Sequence, residues 1–134
     1  MGIHREGREV ALNHLYQLDL GIESIDSVLD LVEKERRKSN RVKAFAKHII
    51  EGVWANMEAV DELLSRHLDR WKLSRLNKTD RAILRMAVFE MKFDPDVPPK
   101  LALNEALDIG KKYGTVESGR FLNGVLDAVL HDLS

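Results

Sequence analysis

Residues 40–70, NRVKAFAKHIIEGVWANMEAVDELLSRHLDR, decide the fold class. Val42, Phe45, Ala46, Ile49, Val53, Met57, Val60, Leu64 and Leu68 recur at steps of three and four, and Trp71 extends the series. Such steps put side chains on one stripe of an α-helix. The spacing predicts one unbroken central helix from about Asn40 to Arg70. A near-heptad period also suits a coiled coil. Short amphipathic segments flank the stripe on both sides, so an intramolecular bundle is expected.

Working toward the N-terminus, Val10, Ala11, Leu15 and Leu18 mark a helix from about Arg5 to Leu20, ended by Gly21. Ser24 is placed to cap a second helix running to about Lys38, with Val28, Leu29 and Val32 inward. Toward the C-terminus, a bend at residues 72–76 leads to Asn77, a good N-cap, with Asp80 set to meet the helix dipole. That helix stops before Asp94-Pro95. Pro98-Pro99 starts another, which Gly114 closes after Lys111 and Lys112. A last helix opens near Thr115 and carries Phe121, Leu122, Val125, Leu126 and Leu130. The expectation is an all-α protein: a compact helical bundle of two three-helix lobes, about 1–71 and 72–134, joined at the bend. Residues 1–134 are expected to act as one domain.

Composition narrows the function. The 134 residues are 44% hydrophobic and 32% charged, a globular mix, and strong helix formers dominate. With no cysteine, disulfides, thiolate metal sites and cysteine nucleophiles are excluded. No signal-peptide core and no run of about 20 apolar residues is present. A cytoplasmic protein without a membrane role is the simplest reading. None of the five histidines has a second at i+4, and no phosphate-binding glycine loop or nucleophile motif occurs. No metal, no cofactor and no enzymatic activity are therefore expected.

The net charge of -1 confines any nucleic-acid site to a local patch. Three patches offer themselves. His4, Arg5 and Arg8 cluster at the start of the first helix, where cations oppose the dipole and invite an anion. Tyr16, two turns beyond Arg8, offers a ring to an unpaired base. Lys111, Lys112 and Arg120 surround the turn before the last helix, whose N-terminal N–H groups suit phosphate. Gly119 and Gly124 each lower helix propensity by about 1 kcal/mol, which suggests close approach of another helix, or less readily of a ligand. The third patch, Arg36, Arg37, Lys38, Arg41, Lys43 and Lys47, is the densest, but charge runs are usually just solvated, and it ranks last.

The run Arg75-Leu76-Asn77-Lys78-Thr79-Asp80-Arg81-Ala82-Ile83-Leu84-Arg85-Met86-Ala87 resembles the R-L-x-x-x-D/E-R/K-x-I/L-L-R-x-A signature of the NusB family. Phe121-Leu122-Asn123-Gly124-Val125-Leu126-Asp127 is similar to its F-V/L-N-G-V/I/L-L-D finish, and Arg8-Glu9 through Leu15-Tyr16 to its R-E-x-A-x-x-x-L-Y helix. The resemblance covers essentially the whole chain. It implies an all-α transcription antitermination factor that binds boxA-type single-stranded RNA of nascent ribosomal RNA transcripts. It also implies NusE, a small-subunit ribosomal protein, as partner, within the transcription elongation complex. Carried over by position, the RNA side falls on His4, Arg5, Arg8, Tyr16, Glu117, Arg120 and Asn123, with Lys112 added from its patch. The first and last helices would then form a single RNA surface. Asp80 falls toward the NusE side. Glu6 and Gly7 interrupt the arginine-rich start, so NusE is expected to carry more of the binding. A homodimer stays open. The alternative function is a helical protein-binding or self-associating scaffold with weak or no RNA binding.

Overall fold

In the computed structural model, which describes residues 2–69 and 72–134, every regular element is helical. The helices are α1 (Ile3–Asp19), α2 (Ile25–Lys34), α3 (Asn40–Ala55), α4 (Met57–Arg66), α5 (Lys78–Phe93), α6 (Pro99–Tyr113) and α7 (Val116–Leu133). A short 3-10 turn, Leu73–Arg75, occupies the expected bend. The all-α expectation holds. Among the described residues, no helix is long and apolar enough to cross a membrane.

The long central helix is corrected: it is two helices. Asn56 sits at φ -111°, ψ 16°, outside the helical well, and separates α3 from α4. The apolar steps continue from Val53 to Met57 to Val60 across this break, so periodicity alone could not show it. Arg70 and Trp71, the expected end of the stripe, lie outside the described residues. The helices form two compact units, the first ending at Ala55 and the second beginning at Asn56. The 72–76 bend thus falls inside the second unit, because α4 packs with α5.

In the first unit, α1 lies along α3, and α2 joins them through Val28 and Val32. Ala11, Leu12, Leu15 and Leu18 of α1 are buried, as are Val42, Ala46, Ile49, Ile50 and Val53 of α3. Gly7 permits this packing. A Cβ built there would come within 2.7 Å of the Phe45 ring. Ser24 caps α2 by accepting the Ser27 N–H at 3.1 Å. The helix ends at Lys34 rather than Lys38, and residues 35–39 form a loop to α3. Gly21 closes α1 at φ +75°, a left-handed conformation that favours glycine.

In the second unit, α5 is the hub. It packs against α4, α6 and α7, and almost every residue from Asp80 to Met91 is buried. Asn77 caps it, accepting the Asp80 N–H at 2.8 Å. Arg85 makes a two-pronged pair with Asp61 of α4, both contacts at 2.9 Å. Gly114 follows α6 with an extended backbone, so its small size serves another purpose. A Cβ there would stand 2.7 Å from the Ser118 hydroxyl and 2.8 Å from the Gly110 carbonyl.

Candidate nucleic-acid interface

The first unit separates the charged start of α1 into two faces. Arg8 is only 4% exposed, with its guanidinium 5.3 Å from the centre of the Phe45 ring. His4, one turn earlier, meets the same ring edge-on at 4.6 Å and is itself exposed. His48 of α3 approaches Phe45 from further along, at 6.2 Å. A cation over a ring that is partly desolvated contributes about 1–2 kcal/mol. Arg8 therefore acts first as packing between α1 and α3. Arg5 and Tyr16 are about three turns apart and so lie on a common face. Arg5 is half-buried and Tyr16 is 37% exposed. Phe45, which organises this end of the unit, was read from the sequence only as a core residue.

In the second unit the starts of α5 and α7 interlock. The Ser118 hydroxyl donates to the Asp80 carboxylate at 2.9 Å, and the Asn77 side-chain amide donates to its other oxygen at 3.0 Å. Ser118 also accepts the Thr115 N–H at 3.0 Å, completing a capping box for α7. Asp80 is 6% exposed. Its carboxylate takes both donors from its own fold, while the residue also lines an open cavity. Next to it, the Arg81 guanidinium donates to the Leu73 carbonyl at 3.0 Å and ties α5 to the 3-10 turn.

Two open cavities flank this junction. One, of about 290 Å³, is lined by Arg75, Asn77, Asp80, Thr115, Glu117 and Phe121 among others. The second, of about 340 Å³, is lined by Arg66, His67, Asp69, Arg120, Phe121 and Gly124 among others. Phe121 stands in both walls, and no role was assigned to it from sequence. Glu117, Arg120 and Asn123 are exposed on α7. Lys112 is exposed at the end of α6, its ammonium 5.3 Å from the centre of the Tyr113 ring. The expectation that Gly119 and Gly124 mark close helix packing is corrected. A Cβ at either position would have no described atom within 4 Å.

Other charged groups serve local structure. His67 meets the Asp132 carboxylate at 2.8 Å. That hydrogen bond holds Asp132 below the usual carboxylate range, helped by the nearby Arg66. His14 is pushed below the usual imidazole range by burial, against a smaller opposing pull from Glu35. No group of three or more metal-ligating side chains occurs among the described residues.

The chain is similar to known proteins over nearly its full length. The transcription antitermination protein NusB of Myxococcus xanthus (strain DK1622) is 39% identical over 133 residues, covering 96% of this chain and 95% of that one. The solved structure of T. maritima NusB superposes with a TM-score of 0.86 at 32% identity, covering 96% of this chain and 91% of that one. A chain from the crystal structure of the antitermination factors NusB and NusE in complex with dsRNA gives 0.84 at 28% identity, covering 98% and 99%. The model of the NusB family matches residues 5–131, and with these relatives it settles the affiliation: the chain belongs to the NusB family.

Proposed function

We propose that this protein is a transcription antitermination factor that binds boxA-type RNA of nascent ribosomal RNA transcripts together with NusE. It would act in the cytoplasm as part of the elongation complex, by binding rather than by catalysis. One observation carries the reading: a solved assembly of NusB, NusE and dsRNA contains a chain of this fold, matched along almost all of both chains. The exposed chemistry suits RNA. Arg5, Lys112 and Arg120 supply cations for phosphates, and the His4 ring supplies an N–H donor. Tyr16 and Phe121 supply rings for unpaired bases, and Asn123 and Glu117 supply hydrogen-bonding groups for base edges. Arg8 positions α1 from beneath, and Asp80 positions the starts of α5 and α7. We read residues 1–134 as one functional domain.

Titration of boxA-type RNA, with and without NusE, at two salt concentrations tests this. The expected result is binding that NusE strengthens and salt weakens. Absence of RNA binding in both arms overturns the reading. A second reading, a self-associating or protein-binding scaffold, is favoured by exposed apolar side chains at Ile22, Trp54 and Val116. Sedimentation across a concentration series separates a homodimer from a monomer.

A further inference from the structure

The loop between α2 and α3 carries Arg36, Arg37 and Lys38, and Arg41 follows in the first turn of α3. By sequence this run lies far from the start of α1. The fold joins them: the Lys38 ammonium bonds to the Glu6 carboxylate of α1 at 2.9 Å. Glu6 is the residue next to Arg5. The cations of the run then divide into two groups. Lys47 pairs with Glu33, and Lys43 donates to the Glu33 carbonyl at 2.8 Å. The Lys47 hydrogen bond holds the Glu33 carboxyl below its usual range, so this acid is already answered. Glu35 turns back to accept the Arg37 backbone N–H at 2.9 Å. Arg36, Arg37 and Arg41 are exposed, and their guanidinium groups make no hydrogen bond or ion pair with any described residue. The first turn of α3 holds no acidic residue to balance Arg41. A cation there opposes the helix dipole, an arrangement that an incoming anion relieves.

We propose that Arg36, Arg37 and Arg41 form a phosphate-binding strip that continues from the start of α1 and takes the backbone of the bound RNA. The inference rests on the RNA-binding reading above. It also explains how α1 manages with few arginines: Gly7 is required for packing on Phe45, and Arg8 is buried against it. The missing cations are supplied from the neighbouring loop. Guanidinium groups on exposed backbone contact phosphates without regard to base sequence, so the strip adds affinity and salt dependence rather than specificity.

The test is a salt titration of boxA-type RNA and of a scrambled RNA against the full chain with NusE. It compares wild type with the triple variant Arg36→Gln, Arg37→Gln, Arg41→Gln. Three lost contacts to single-stranded RNA should flatten the log–log salt slope by about 2 and weaken binding by about 10- to 100-fold at low salt. Both RNAs should lose equally. The triple lysine variant should restore the slope, since a phosphate contact needs the charge. Lys43→Gln, outside the strip, should leave the slope as in wild type. Circular dichroism confirms that each variant is folded. An unchanged slope in the glutamine variant, with wild type binding RNA, overturns the strip alone. Loss of NusE association at unchanged RNA slope also overturns it and assigns the surface to an acidic protein. No RNA binding by wild type overturns the RNA-binding reading, and the strip with it.

Discussion

The start of α5 and the start of α1 both carry charged motifs, and they use them in opposite ways. At α5 the signature residues bond inward. Asp80 takes Ser118 and Asn77, Arg81 takes the Leu73 carbonyl, and Arg85 takes Asp61. Ile83, Leu84 and Ala87 fill the core between them. The most recognisable stretch of the chain is therefore framework, holding α4, α5, the 3-10 turn and α7 in place. At α1 and the adjoining α2–α3 loop, one arginine is buried while others stay in water. Residues with demanding geometric partners leave a strong motif. Exposed cations need only charge and reach, and leave a faint one.

The comparison can be broken most decisively at Asp80. Asp80→Ala removes the acceptor of the buried Ser118 hydroxyl, and with it that of the exposed Asn77 amide. It should lower the unfolding free energy by about 3 kcal/mol in a denaturant titration. A loss of RNA or NusE binding with stability unchanged would instead make Asp80 a contact residue. Arg8→Ala is the matching probe in the first unit. Loss of its packing on Phe45 should lower stability by about 2 kcal/mol. Binding loss without destabilisation would move Arg8 from framework to ligand. Tyr16→Ala should do the reverse of both. Its ring is partly exposed, so thermal stability should hold while RNA affinity falls by about 1–2 kcal/mol, read by fluorescence anisotropy. Equal affinity would remove Tyr16 from the RNA face.

The smallest effect is a pH dependence within the first unit. Burial lowers the His14 pKa from 6.5, so the unfolded chain binds this proton more readily than the folded one. Its contribution is complete above about pH 6.5 and is lost as pH falls below that value toward the depressed folded pKa. Stability measured across this window should fall on acidification, and His14→Phe should flatten the fall. An identical slope in the variant would assign the effect to other groups.

Much of the architecture was legible in single residues. Ser24 and Asn77 act as the caps their side chains predict, Gly21 takes the left-handed turn, and the prolines begin α6. These effects are local, decided within a few bonds. The break at Asn56 was not legible, because the apolar steps run through it without a change of period. The candidate site was legible only in part. Arg8 and Tyr16 look alike as members of one amphipathic helix, and only the position of Phe45 on α3 decides that Arg8 is covered.

The density of cations at residues 36–41 was visible from the start, and so was its ordinary explanation as solvated charge. What the sequence by itself determined was the helical class, the capping residues Ser24, Asn77 and Gly21, and the family motif, since these follow from periodicity and short-range bonding. What only the tertiary structure decided was which charges are already answered. Asp80 found Ser118 and Lys47 found Glu33, partners distant in sequence, while Arg36, Arg37 and Arg41 found none among the described residues. Electrostatic pairing depends on separation in space, and for residues distant along the chain that separation is a property of the fold.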